Sequence, residues 1–439
     1  MKRILIILAI CIITSCKENP KKEEALQASE VNYGPAKVTL TETDGKFQLL
    51  VNNEDFYIKG AGLEFGNIAE LAKHKANSFR TWRTDNGERS ALEVLDEAQE
   101  NGLMVTMGIE VGRERHGFDY DDPIMVEKQL LSIKKEVMAL KDHPALLIWG
   151  IGNELNLHYE NPKVWDAVNQ ISIMIHELDP NHLTTTSLAG LAQKEVSYIK
   201  ERCEDLDILS VQMYGDLPQV PALIRKFGWD GPYMVTEWGA TGHWEVPTTT
   251  WGAPIEQNST VKAANYLQRH ETGIASDKEQ CIGSYVFLWG NKQERTPTWY
   301  GIFLEDGQET ESVDVMHYIW NGEWPENRTP KIIEFELNGK TASDNVVLEM
   351  GEQYLSSISM MDHEEDTLNY TWEIMPESTD LKDGGDEEER PGAVAGLIVE
   401  QQDNTVKFKA PTQGKYRLFV YVGDGHNHSA AANIPFMVK

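Results

Sequence analysis

Cysteine is scarce in this chain, four in 439 residues, and basic side chains are outnumbered by acidic ones, 40 to 70. The resulting net charge of −30 argues against a nucleic-acid partner, because phosphate binding needs a positive face. The apolar run from Ile4 to Ile13 is too short to span a membrane as a stable helix. No glycine-rich phosphate fingerprint follows the first strand candidate, which counts against a dinucleotide fold. No Cys/His spacing reads as a zinc site. What remains is ordinary globular composition, 41% hydrophobic and 25% charged, in a chain long enough for a full-size barrel or α/β domain plus a smaller one.

Residues 1–16 are read as a signal and not as part of the fold. Lys2 and Arg3 precede the apolar run, the charge-then-apolar order of a secretory leader. The run ends in "ITSC", which resembles the bacterial lipobox, and Cys16 is the residue such a signal lipidates. A secreted protein is expected, lipid-anchored at the bacterial outer membrane or cell surface. An ordinary cleaved signal is the alternative. Residues 17–34 are polar without an apolar period and read as a flexible tether. Of the two cysteines left after the signal, Cys203 and Cys281, each heads a different strand candidate, so they are expected to stay unpaired.

Residues 35–330 read as one catalytic unit. A hairpin pattern around "TDGK" opens it, and eight strand candidates alternating with helix patterns follow. The strands are 57–64, 77–83, 103–111, 145–152, 182–188, 206–214, 232–238 and 281–289; the helices include 90–100, 123–141, 163–178, 259–275 and 312–320. Strands as uniformly apolar as "ALLIWG" suit a parallel sheet covered by helices. Eight such units match a closed (β/α)8 TIM barrel better than an open doubly wound sheet. From Lys331 to Lys439 the helix period vanishes, and "NYTWEIM", "TVKFKA" and "YRLFVYVG" predict an immunoglobulin-like β-sandwich. It reads as a packing partner or spacer, and its acidic insert "DLKDGGDEEERPGA" as a solvated loop, with a calcium site as the alternative.

Barrel chemistry sits at the C-terminal ends of the strands. The fourth strand, in "IWGIGNELN", ends in Asn153-Glu154, and the seventh, "YMVTEWG", ends in Glu237. Taken alone, Glu154 could be a first-turn acid of the next helix. Paired with Glu237 it points to hydrolysis of a sugar acetal, which needs one protonated acid and one ionised one. A separation of about 5–5.5 Å would give retention.

"HPALLIWGIGNELN" and "PYMVTEWGA" resemble the fourth- and seventh-strand motifs of clan A retaining glycoside hydrolases, with the family two barrel the nearest pattern. "NSFRTWR" and "VQMYG" resemble that family's second- and sixth-strand motifs. The resemblance implies Glu154 as acid/base, Glu237 as nucleophile and Asn153 as the partner of the sugar 2-OH. It also implies Arg80 and Tyr214 as the groups that orient and ionise the nucleophile, with Trp289 of "FLWG" as the apolar floor. Only a hairpin precedes the barrel and one sandwich follows, an arrangement that looks more like glycoside hydrolase family 158, a group of endo-β-1,3-glucanases. The implied function is a retaining hydrolase of β-linked polysaccharide, endo-β-1,3-glucan first. The alternatives are hydrolysis or transglycosylation of another β-glycan such as mannan, or a non-catalytic glycan-binding lipoprotein. Neither metal nor organic cofactor is required, and a monomer is expected.

Further candidates for sugar contact are the aromatics of two long loops, Trp244 and Trp251 after the seventh strand and Trp299 and Tyr300 after the eighth. Self-packing of these loops is the competing reading. Glu64 and Glu110 end the first and third strands and read either as sugar partners or as solvated acids. "GRERHG" carries Arg113, Arg115 and His116 and reads as a charge-balanced turn, with contact to an acidic sugar as the alternative. Trp82 and Trp149 read as core.

Overall fold

The computed structural model describes residues 34–439; the signal, Cys16 and the rest of the tether lie outside the described residues. Eight parallel strands close into a barrel. They are β1 (Ile58–Gly62), β2 (Ser78–Arg80), β3 (Met104–Ile109), β4 (Leu146–Asn153), β5 (Leu183–Ala189), β6 (Ile208–Gln212), β7 (Tyr233–Glu237) and β8 (Cys281–Val286). The order around the barrel is the chain order, with β8 pairing β1 to close it. The helices that follow these strands in turn are α1 (Ile68–Lys73), α2 (Ala91–Glu100), α3 (Pro123–Leu140), α4 (Lys163–Leu178), α5 (Gln193–Arg202), α6 (Val220–Lys226), α7 (Ser259–Arg269) and α8 (Glu311–Asn321).

Local chemistry explains the boundaries. Ser90 and Glu93 form a reciprocal capping box that starts α2, and Asp122 caps α3 just before Pro123. The helix expected over 259–275 begins on the Asn258 cap, but from His270 to Ile274 it widens into a π turn. The opening hairpin pairs Val38–Thr43 with Lys46–Val51 across Asp44-Gly45, both at positive φ, the two-residue turn that suits strand twist. The hairpin plugs the N-terminal end of the barrel. Val38 and Leu49 pack against Ile58, Ile148, Ile208 and Met234, while the Val38 and Phe47 N–H groups donate to the Asn181 and Glu279 carbonyls. Cys203 and Cys281 are free and buried.

After α8 come two four-stranded sheets. One is β9 (Lys331–Leu337), β11 (Gln353–Met361), β14 (Thr405–Lys409) and β13 (Ile398–Gln402) in that order; the other is β10 (Val346–Leu348), β16 (Ser429–Val438), β15 (Gly414–Gly423) and β12 (Asn369–Pro376). Their inner faces meet over Trp372, Phe408, Leu418 and Phe436. β16 is buried along almost its whole length because the barrel covers it. Asn433 donates to Glu256 at 2.6 Å, Arg417 to the Pro254 carbonyl at 2.7 Å, and the Ala431 N–H to Ser259 at 3.0 Å.

The acidic insert keeps about half of its residues exposed, as its composition suggests, but it is anchored at several points. Glu388, 4% exposed, accepts from the Arg295 backbone N–H and guanidinium and from the Lys382 N–H. Asp386 pairs with Arg115 at 2.9 Å, and Lys292 donates to the Gly385 carbonyl at 2.6 Å. Arg115 follows β3 and Lys292 and Arg295 follow β8, so the sandwich loop is docked on loops of the barrel's active face.

Removing the sandwich would therefore strip partners from buried barrel acids, at about 1–3 kcal/mol for each group left unsatisfied. A chain ended at residue 330 is expected to melt well below the full chain or to aggregate. Calorimetry of the full chain should show one cooperative transition. Equal melting temperatures for the two would show that the sandwich is only a spacer.

Candidate active site

Four strand ends converge at the barrel mouth. Glu237 closes β7 and is 5% exposed. Its Oε1 accepts from Trp82 Nε1 at 2.8 Å, from Gln212 Nε2 at 3.0 Å and from Arg80 Nη1 at 3.2 Å; its Oε2 accepts from Tyr214 Oη at 3.2 Å. Four donors fix the rotamer and solvate a carboxylate charge where water is largely excluded. Burial, and then the Glu237 charge, push the Tyr214 phenol well above its ordinary value, so it stays a donor.

Arg80 also donates to Asn153 Oδ1 at 2.7 Å and to the Thr236 carbonyl at 3.1 Å. Gln212 Nε2 donates to the same Asn153 oxygen at 2.7 Å. With its oxygen engaged twice, Asn153 keeps its amide N–H groups for a ligand; they have no partner among the described residues.

Glu154 follows at once, and it caps no helix, since α4 starts only at Lys163. β4 instead ends irregularly. Its pairing with β5 shifts between Gly150 and Asn153, and Gly152 and Glu154 stand at φ 72° and 52°. A glutamate in the left-handed region is uncommon and clusters at functional positions. The Glu154 N–H is held by the Ser187 carbonyl at 3.0 Å. The protein around Glu154 pushes its carboxyl up to about 8: burial is the largest cause, the Glu237 charge the next, and Arg80, Arg113 and Arg115 oppose both. The residue as a whole is half-buried.

The remaining predicted residues divide. Trp289 is not a floor for a ligand. It is 1% exposed, its indole N–H donates to the Asn67 carbonyl at 3.1 Å, and its ring packs among His74, Phe303 and Trp320. Phe287, two residues earlier, has the mouth position, with ring contacts to Trp82, Tyr214 and Tyr300. Trp299 is likewise 1% exposed and bonded to the Thr241 carbonyl, so it is loop packing and not a stacking platform. Tyr300 is buried beside Tyr214. Trp244 is the open one at 60% exposure, edge-on to the Tyr214 ring at 5.8 Å. Glu64 is not a free sugar partner, because Arg83 holds its carboxylate at 2.5 and 2.6 Å. Glu110 is exposed in a hollow of ≈ 340 Å³ that Arg113, His116, Phe118 and Met125 also line. Of the charged turn, Arg113 donates to the Asn153 carbonyl at 3.3 Å, while Arg115 and His116 are taken up by Asp386.

Trp82 and Gln212 were not among the sequence-derived site residues. Each lies two positions from a residue that was, Trp82 from Arg80 and Gln212 from Tyr214, and the strand period of two was the signal. Among the described residues, no histidine or cysteine is hydrogen-bonded to either acid. Among the described residues, the groups able to hold a metal lie around Glu309 and in the Asp362–Asp366 turn.

The electrostatics can be checked directly. In protein labelled with 13C at glutamate carboxyls, the Glu154 signal should stay in its protonated form to about pH 8. Glu237→Gln should move that titration downward, because it removes a neighbouring negative charge. A Glu154 that titrates as a solvent-exposed glutamate does, in either protein, would refute the coupling.

Residues 67–244 match the model of the glycosyl hydrolases family 2 TIM barrel domain. Among solved structures, beta-glucuronidase 2 of Bacteroides uniformis, covalently bound to cyclophellitol-6-carboxylate aziridine, is similar over 92% of this chain and 48% of its own, at 12% identity and a TM-score of 0.51. The beta-D-glucuronidase of Dictyoglomus thermophilum is similar over 66% of this chain and 54% of its own, at 17% identity and a TM-score of 0.50. At these identities the likeness is one of fold, and the chain spans about half the length of these proteins. Residues 67–244, which carry β2 to β7, are thus similar to the family 2 TIM barrel domain, and Glu154 and Glu237 both lie within the matched stretch.

Proposed function

We propose that the chain is a retaining β-glycoside hydrolase that acts on β-linked polysaccharide by double displacement. The observation that carries the reading is the unlike surroundings of the two acids: four donors converge on Glu237, while burial and then the Glu237 charge push the Glu154 carboxyl up. In the first step a Glu237 oxygen bonds to the anomeric carbon, the glycosidic C–O bond breaks, and the leaving oxygen takes the Glu154 proton. Esterification then removes the Glu237 charge, and with it the repulsion that helped keep Glu154 protonated. Glu154, now a carboxylate, takes a proton from water as the water oxygen attacks the anomeric carbon and releases Glu237. Asn153 offers its free amide N–H to a sugar hydroxyl throughout.

β-Glucan is the leading substrate, with β-1,3 linkage and endo action as the sharper form. Trp244 and Phe65, 60% and 58% exposed in the loops after β7 and β1, suit pyranose rings crossing an open mouth. A second reading is a β-uronide. Arg113 beside Glu154 favours it, as does the likeness to two β-glucuronidases. The docked insert weakens it, because Arg115 is already neutralised by Asp386. The reading includes export and a lipid on Cys16, supported by the order of Lys2-Arg3, the apolar run and "ITSC".

On a panel of laminarin, barley β-glucan, mannan, xylan and an aryl β-glucuronide, the highest kcat/KM is expected on laminarin. Preference for the glucuronide would decide for the second reading. Glu237→Gln should abolish turnover on every substrate. Glu154→Gln should cost about 10²–10⁴-fold on glycans, and less on an aryl glycoside that the enzyme accepts, where azide should rescue it as the β-azide. The kcat/KM profile should fall as pH rises through about 8, as the acid loses its proton. Proton NMR in the first minutes should show the β-anomer as first product; an initial α-anomer would mean inversion and sink the double-displacement mechanism.

A further inference from the structure

The seam between barrel and sandwich holds a cluster that the acid pair does not use. Glu309, in the loop between β8 and α8, is bonded to the sandwich through its backbone. Its N–H donates to the Asn427 carbonyl and its own carbonyl accepts the Ser429 N–H, both at 2.8 Å. Its side chain is buried beside His428 of the β15–β16 turn and Asp314 of α8. One ligand-type atom of each of these three residues lies within 4.8 Å of the other two.

We propose that Glu309, Asp314 and His428 form a binding site for a divalent transition-metal ion, with zinc the best fit, that fastens the sandwich to the barrel. Spacing supports it first. His428 Nε2 stands 3.4 Å from Glu309 Oε2. That is long for a charge-assisted hydrogen bond, which runs about 2.7–2.9 Å. Two ligands on one tetrahedral zinc, with bonds of about 2.0–2.2 Å, have their atoms about 3.4 Å apart. The orientation of the imidazole is the second support. Its Nδ1 faces Asn327 Oδ1 at 2.6 Å and Asp424 Oδ2 at 3.2 Å, both acceptors. A proton held on Nδ1 leaves Nε2 free to ligate, and a carboxylate behind the ring is the usual outer partner of a metal-bound histidine. Asp424 is itself held by the His426 N–H at 2.7 Å.

The third support is an orphaned atom. Asp314 is fully buried; its Oδ2 accepts the Thr329 N–H at 2.8 Å, but its Oδ1 has no hydrogen-bond partner. A buried carboxylate oxygen without a partner calls for a cation or a proton. Imidazole with carboxylates suits zinc better than calcium. The fourth position falls to a water, since His74 groups with Glu70 and Glu309 and not with Asp314 and His428. Glu309 and Asp314 lie five positions apart at the start of α8, but His428 joins them from the sandwich, so sequence spacing does not announce the set.

The test uses the untagged full chain, stripped with a chelator and titrated with Zn²⁺, and with Co²⁺ as a spectroscopic probe. One equivalent of Zn²⁺ should bind and raise the melting temperature, and Co²⁺ should give the visible bands of a low-coordinate site. His428→Asn and Asp314→Asn should each weaken Zn²⁺ binding at least tenfold, and Asp424→Asn by about 10–100-fold. Circular dichroism checks that each variant is folded; if none is, the wild-type Zn²⁺ and Co²⁺ titrations decide alone. Failure of the stripped wild-type protein to bind either metal, or folded variants that bind as it does, would overturn the site and leave a proton-held ion cluster. Metal stoichiometry is read without turnover, so the result is independent of the proposed activity.

Discussion

Repulsion between Glu154 and Glu237 is the interaction on which the rest of the mouth depends. Two carboxylates in one poorly hydrated cleft cannot both ionise cheaply, so their surroundings must decide which one does. Here the donors are shared unequally. Arg80, Trp82, Gln212 and Tyr214 all reach Glu237. Glu154 is hydrogen-bonded through its backbone N–H to Ser187 and meets its three arginines only through space. That asymmetry surrounds Glu237 with donors and leaves the Glu154 carboxyl to burial and the Glu237 charge, which push it up.

Holding the asymmetry requires rigid supports, and the barrel supplies them as strand ends. Arg80, Gln212 and Glu237 are terminal residues of β2, β6 and β7; Arg80 and Gln212 are paired with a strand on each side, and Glu237 is paired with Gln212. Asn153 links them, since its oxygen takes one donor from Arg80 and one from Gln212. A change at any of these residues therefore disturbs several bonds at once, and their effects should not add.

The sandwich bears on the site through a different constraint. Its strand β16 and the insert between β12 and β13 bury charges that belong to barrel loops, among them Glu256, Glu309 and Arg295. Arg115, which acts on Glu154 from one side, is paired from the other with Asp386 of the insert. The second domain thus sets part of the charge around Glu154.

Much of this was legible in the chain because it depends on local pattern. Uniform apolar runs and a 3.6-residue period located the barrel strands and helices to within a few residues, and reading only the strand ends isolated Glu154, Glu237, Arg80 and Tyr214. Patterns of that kind say which residues share a face, not which neighbour occupies it. Trp289 and Phe287 stand two apart in one stretch, and Trp244 and Trp299 occupy similar long loops; only packing set Phe287 against Tyr214, left Trp244 exposed and sank Trp289 and Trp299 elsewhere in the core. The acidic insert has the composition of a solvated loop, yet it is docked, because its partners Arg115, Lys292 and Arg295 lie at least 85 positions away in sequence. Sequence by itself determined the secondary-structure order and the acids at the strand ends, since those follow from backbone geometry and periodicity. Tertiary structure alone decided which aromatics are open, which charges are neutralised and how Glu309, Asp314 and His428 meet, since burial and long-range pairing belong to the closed barrel with its sandwich and to no segment of it.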